Sequence, residues 1–139
     1  MSVPAPLSRE ECLARLDRAS IGRVAVTSKA LPAIVPVNYV RRGSSIVFRT
    51  EPDGMLARAC DGTVVAFEID DLAPDGRSGW SVLVVGVAEL LHGSAAVRAV
   101  ETGLVSAAGD DRDQFVGVTI ANLTGREIVA APIAATAVA

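Results

Sequence analysis

Residues 34–50 read Ile-Val-Pro-Val-Asn-Tyr-Val, then an Arg-Arg-Gly-Ser turn, then Ser-Ile-Val-Phe-Arg-Thr. Two runs of β-branched and aromatic residues around a glycine-bearing turn specify a β-hairpin. Pro36 lies inside the first run and cannot donate to a ladder, so its strand must sit at an exposed edge or carry a bulge. A chain containing this hairpin has to build an antiparallel sheet and leave one place in it incompletely paired.

The flanking sequence extends the same pattern. Ser8 and Glu11 make a Ser-x-x-Glu capping box, with Leu7 placed as a hydrophobic staple, and open a helix that runs to Asp17 or Arg18. Ile21 to Ser28 is a strand, Pro32 marks a turn, and the hairpin strands cover Ile34–Arg41 and Ser45–Thr50. In the second of these, Ile46 and Phe48 share one face and Val47 and Arg49 the other. Gly54 to Cys60 is a short helix. Thr63 to Asp70 alternates, with Val65, Phe67 and Ile69 inward, and Asp71–Gly79 is a loop. Trp80 to Leu91 is a long strand whose Gly86 predicts a bend of the kind that closes a barrel. A second helix is expected from Ser94 to about residue 107. An antiparallel pair, Phe115–Asn122 and Arg126–Val129, is expected to turn at Leu123-Thr124-Gly125, and the tail from Ala130 to Ala139 has no assignable pattern. The sum is a mainly β fold: an antiparallel barrel with peripheral helices, in one domain spanning 1–139.

Bulk properties exclude several classes of function. Half of the 139 residues are hydrophobic, enough for a sizeable core, yet no apolar run approaches the ~20 residues that span a bilayer. No charged segment followed by an apolar one opens the chain, so a soluble, cytoplasmic protein is expected. Thirteen basic against sixteen acidic residues, a net charge of −3, argues against a nucleic-acid surface. Cys12 and Cys60 form no CxxC unit, and with one histidine there is no zinc set of the usual kind; both read as buried structural thiols. His92 follows a strand in a turn with no Gly-x-Ser-x-Gly anywhere, which removes a hydrolase triad. Asp70-Asp71 and Asp110-Asp111-Asp113 fall in predicted turns, where aspartate serves the backbone. Neither a Gly-x-Gly-x-x-Gly nor a P-loop is present.

Three constellations carry chemistry. Arg49 and Thr50 end a strand, and Gly54 opens a helix five residues after Arg49. A guanidinium, a hydroxyl and backbone N–H groups in that order can hold a phosphate, although Arg49 alone also reads as a solvated charge. In Pro36-Val37-Asn38-Tyr39, a strand interrupted by proline can present backbone N–H and C=O groups to the edge of a heterocycle. Asn38 adds a side-chain amide and Tyr39 an apolar wall. Trp80, in Ser-Gly-Trp-Ser-Val, reads first as a core anchor, while Gly79 beside it leaves a role at a shared interface open.

Seven segments in order resemble the pyridoxamine 5′-phosphate oxidase-like flavin-binding split-barrel family. They are Leu-Ser-Arg-Glu-Glu-Cys-Leu at 7–13, Ile-Gly-Arg-Val-Ala-Val at 21–26, Pro-Val-Asn-Tyr at 36–39, Phe-Arg-Thr at 48–50, Val-Ala-Phe-Glu-Ile-Asp at 65–70, Gly-Trp-Ser-Val at 79–82 and Thr-Gly-Arg-Glu-Ile at 124–128. The resemblance implies a six-stranded antiparallel split barrel that forms a homodimer, with two flavin mononucleotide (FMN) sites at the interface and a small-molecule substrate. By the same likeness Val37, Asn38 and Tyr39 line the flavin ring and Arg49 and Thr50 hold the phosphate. Phe48, Gly54, Met55 and Trp80 complete the cofactor set, and no catalytic side chain is implied. The family's lysine after the Phe-Arg-Thr element is replaced here by Met55, and its Pro-Trp has no counterpart between Leu104 and Phe115. Three readings follow: an FMN-dependent oxidoreductase, a reductase using the related deazaflavin, and a non-catalytic dimer without cofactor.

Overall fold

A computed structural model of the chain describes residues 2–101 and 114–130. Ser8 caps the first helix, α1 (Arg9–Arg18), its side chain accepting from the Glu11 N–H at 3.1 Å, as the capping box requires. The strands β2 (Ile21–Ser28), β3 (Leu31–Arg42) and β4 (Ser45–Thr50) follow, then α2 (Met55–Cys60), β5 (Thr63–Leu72) and β6 (Gly79–Leu91). The helix α3 (Gly93–Glu101) and the strands β7 (Gln114–Thr119) and β8 (Asn122–Ala130) complete the described chain. A strand absent from the sequence reading, β1 (Ser2–Pro6), pairs with β8. Its two prolines and lack of alternation hide it, and an edge position tolerates both. The residues expected to continue α3 as far as 107, and the tail beyond Ala130, lie outside the described residues.

Six strands close into an antiparallel barrel in the order β2–β3–β4–β7–β6–β5, with β5 returning to β2. Closure depends on β6, which changes partner part-way along. Its first half, Gly79 to Val85, pairs with β8, and its last four residues, Ala88 to Leu91, pair with β7. Val85 faces Asn122 and Ala88 faces Val118, so residues 86 and 87 stand opposite 119, 120 and 121: two residues against three, a bulge. The Ile120 N–H is drawn across to the Ser44 carbonyl at 2.8 Å, and the Ala121 N–H turns back to the Thr119 carbonyl at 2.9 Å. At Gly86 a Cβ would collide with the Thr119 carbonyl oxygen, so only glycine admits this crossing. The expected bend at Gly86 is therefore present.

The end of the chain departs from expectation. β7 and β8 lie end to end along one edge of β6 and do not form a hairpin with each other; the break falls at 120–121, not at Leu123-Thr124-Gly125. Gly125 serves a packing need instead of a turn. A Cβ there would press to 2.6 Å from Cys12 Sγ and 3.1 Å from Leu7 Cδ1, where α1 seats on β8. β3 is also longer than expected and its pairing with β2 runs without interruption from Ile21↔Asn38 to Ser28↔Leu31, so Pro36 lies at an edge and not at a bulge.

The barrel interior is filled by alternate residues: Val24 and Val26, Ile46 and Phe48, Val65, Phe67 and Ile69, Val82 and Val84, Val116 and Val118. Cys12 and Leu16 of α1 and Leu56 and Cys60 of α2 close it, and both cysteines are free and buried, with burial pushing the Cys60 thiol up to about 11. α3 covers a second, smaller cluster outside the barrel, where Ala99 meets Val47 and Phe115.

Gly86→Ala should test the crossing. Relief of the clash requires β7 to move off β6, at a cost in the range of overpacked cores, about 1–3 kcal/mol or more. The expected readout is a lowered urea midpoint with unchanged slope.

Candidate functional site

β3 changes partner along its length, pairing with β2 from Leu31 to Asn38 and with β4 from Tyr39 to Arg42. From Leu31 to Asn38 its second edge carries no described strand. The Tyr39 N–H donates to the Ser20 carbonyl at 3.0 Å, so odd-numbered amides face β2 and even-numbered ones face the open edge. Pro32 and Pro36 both fall on the open side. They remove half the donors there, which blocks strand addition and leaves the Ile34 and Asn38 N–H groups among a row of carbonyls.

One step beyond the Tyr39↔Phe48 pair, the register sets Asn38 beside Arg49. Both lie on the outer face of the barrel, Asn38 exposed and Arg49 half-buried. Thr50 follows, half-buried, opposite Gln114. Gly54 caps α2 without a side-chain bond, and its own N–H is already donated to the Glu51 carbonyl at 3.3 Å. α2 is only six residues long and Met55 stands exposed at its start, so anion-binding capacity here rests on the Arg49 and Thr50 side chains more than on helix amides.

Alternation sends the remaining members of the set the other way. Val37, Tyr39 and Phe48 face the interior. Tyr39, expected to wall a ring with its side chain, is 3% exposed, its hydroxyl donating to the Leu16 carbonyl at 2.6 Å and its ring meeting Phe67 edge-on at 4.7 Å. Burial, helped by the Asp17 charge, pushes its phenol up to about 12, so it remains a donor that ties α1 to the barrel. Their side chains are closed to a ligand and their backbone groups are taken up in the ladders, so the open-edge backbone belongs to Ile34, Pro36 and Asn38.

Trp80 lies far from Arg49 when followed along β6, but nearer to Asn38 around the barrel: Asn38 pairs with Ile21, Arg23 with Glu68 and Asp71 with Trp80, three strand spacings or about 15 Å in all. There the indole packs under the Arg15 guanidinium, 4.8 Å from the ring centre, in a 390 Å³ cleft shared with Arg18, Asp70 and Asp71.

A feature the sequence reading missed lies on the outer face of β2, β3, β5 and β6. Arg23 reaches Glu68 at 3.4 Å and Asp70 at 3.1 Å, beside a 420 Å³ groove lined by Ala25, Ile34, Ala66 and Leu83. Partial burial, reinforced by a hydrogen bond to Asp70 and by its charge, pushes the Glu68 carboxyl up to about 7, against the opposing pull of Arg23. The available signal was Glu68 and Asp70 two apart on one strand, which places two carboxylates on the same face.

The family model for pyridoxamine 5′-phosphate oxidase matches residues 8–127. The chain belongs to the pyridoxamine 5′-phosphate oxidase family. Among solved structures of similar proteins, an FAD-binding protein from Mycobacterium smegmatis is 30% identical with a TM-score of 0.76, the match covering 91% of this chain and 98% of that one. A conserved protein of unknown function from Corynebacterium diphtheriae is 28% identical with a TM-score of 0.77 over the same shares. An uncharacterised protein of Mycobacterium tuberculosis is 41% identical over 87 residues, 59% of this chain. That match spans only 57% of the relative's own length.

The Glu68 carboxyl gives a pH prediction. Folded Glu68 titrates near 7 and the unfolded group near 4.5, so between these values the folded state holds more proton. Stability should fall as pH rises through that window and level off above it. Glu68→Gln should flatten the slope, as read from urea midpoints between pH 5 and pH 8.

Proposed function

We propose that this chain is a flavin-dependent oxidoreductase subunit acting on a small molecule, and that it works as a homodimer. The observation that carries the reading is that β3 passes from β2 to β4 between Asn38 and Tyr39, so that Asn38 stands one register step from the Tyr39↔Phe48 pair, on the side of Arg49. Amide, guanidinium, hydroxyl and open backbone groups are the donor set that a flavin with its phosphate needs. The similarity to an FAD-binding protein supports a flavin as the cofactor class. FMN is the proposed minimum, since its ring and first phosphate are shared with FAD.

The residues present fit that group. Arg49 can pair two oxygens of a phosphate and the Thr50 hydroxyl a third. Asn38 and the edge groups between Pro36 and Asn38 can hold a pyrimidine edge, which accepts and donates alternately. The bound flavin supplies the electron transfer. The chain contributes orientation, charge at the phosphate, and an edge that its prolines keep clear of competing strands. Met55 brings no charge where a lysine is usual, and that specific substitution favours the second reading, a dimer that has kept the fold without the cofactor.

A second copy is proposed because the outer face of β2, β3, β5 and β6 exposes large apolar side chains, Ile34 at 70%, Val64 at 67%, Val87 at 42% and Leu83 at 40%. Contiguous apolar surface of this kind marks an interaction site. An obligate interface of above ~2,000 Å² is expected. Sedimentation should give a dimer at micromolar concentration, and Ile34→Asp should yield a folded monomer; a parent that sediments as a monomer would reject the assembly.

The cofactor reading is tested by titration with FMN, FAD and riboflavin, following flavin fluorescence. Arg49→Ala should weaken FMN binding about 10- to 100-fold and leave riboflavin nearly unaffected. Met55→Lys should tighten FMN about 10-fold, with the gain shrinking as salt rises. If none of the three ligands binds the parent, the cofactor-free reading replaces this one.

A further inference from the structure

The second cluster leaves a cavity of 220 Å³ between α3 and the outer barrel wall. Its floor is Val47, Leu91, Ala99 and Gly117, all apolar or lacking a side chain. Its rim carries Ser45 and two arginines, Arg42 at the end of β3 and Arg98 on α3. Cross-strand pairing sets Arg42 directly against Ser45. Neither the Arg42 nor the Arg98 guanidinium makes a hydrogen bond or an ion pair with a described residue, in contrast to Arg41 beside them, which is held by Asp17 and the Gly43 carbonyl. Glu89, opposite Gly117 on β6, pairs with neither. Two cations have been brought to one rim with no described counter-charge.

We propose that this cavity binds a small organic carboxylate with a compact apolar body. Two guanidiniums and a hydroxyl around one opening match the two oxygens of a carboxylate, each arginine able to present paired N–H donors. The floor decides against a bare inorganic anion, because an ion held at the rim would leave the apolar floor uncovered. A ring or short chain attached to the carboxylate removes that surface from water. The volume lies below the ~300–1,000 Å³ of sites for drug-sized ligands, which limits the occupant to a single ring or a short chain.

The site is separate from the proposed flavin phosphate position. Ser45 and Arg49 are four residues apart on β4, about 13 Å along the strand, with Val47 and its cover of α3 between them. Binding joins α3, through Arg98, to the barrel, through Arg42 and Ser45. Ligand should therefore hold α3 onto the wall that the small cluster of Val47, Ala99 and Phe115 otherwise secures alone.

Benzoate is the probe, titrated into the full chain by calorimetry and by amide chemical shifts. The parent should bind with a dissociation constant tighter than about 1 mM. Shifts should concentrate at Arg42, Ser45, Gly117 and the described part of α3. Arg42→Gln and Arg98→Gln should each weaken binding about 5- to 10-fold and together abolish it, while Arg49→Ala leaves it unchanged. Inorganic phosphate should bind at least 10-fold more weakly than benzoate. Absent binding, unaltered affinity in the double variant, equal affinity for phosphate, or loss on Arg49→Ala would each overturn the proposal. Because the last of these reads the flavin position directly, failure here and failure of the flavin reading are told apart.

Discussion

The carbonyl of Thr119 lies where the side chain of residue 86 would be, and the rest of the structure depends on that approach. With glycine at 86, the strand carrying 114–130 can cross β6 through a bulge, so that one part of it extends the sheet through β8 and the other turns to reach β4. The bond from the Ile120 amide to the Ser44 carbonyl fastens the crossing to the β3–β4 hairpin. Without it β7 could not join β4 to β6, and the six strands would remain an open sheet with two long edges.

Closure also fixes what is left open. β7 takes the outer edge of β4, β4 takes only the last four residues of β3, and the preceding eight residues of β3 are left with one partner. An exposed edge of that length is a hazard for aggregation, and the placement of Pro32 and Pro36 on its outward-facing positions removes the donors a foreign strand would use. The same proline spacing creates a short row of carbonyls beside Asn38. A device that limits unwanted pairing thus lies next to the groups proposed to receive a ligand.

Period-two alternation then divides the hairpin's side chains between stability and chemistry. Val37, Tyr39 and Phe48 go inward and build the core, with the Tyr39 hydroxyl anchoring α1 at the Leu16 carbonyl. Asn38 and Arg49 go outward, one register step past the last recorded pair of β3 with β4. One strand away, opposite Pro36, the ion-paired Arg23, Glu68 and Asp70 stand beside apolar groups, and partial burial together with Asp70 raises the Glu68 carboxyl.

Much of this was written into the sequence because it depends on local rules. The capping box at Ser8 and Glu11, the bounds of β2 and β4, the inward set Val65, Phe67 and Ile69, and the bend at Gly86 all follow from neighbours in the chain. The ordered segments around Pro36, Phe48 and Trp80 carried the family. Tertiary structure decided what depends on distant partners. Gly125 looked like a turn residue, yet its role is to make room for Cys12 of α1, over a hundred residues away in sequence. The placing of Asn38 toward Arg49, the seating of Trp80 under Arg15 of α1, and the meeting of Arg42 with Arg98 follow from register and helix packing. Sequence fixes which face a residue takes along its own strand; only the closed barrel determines which residues from other strands share that face.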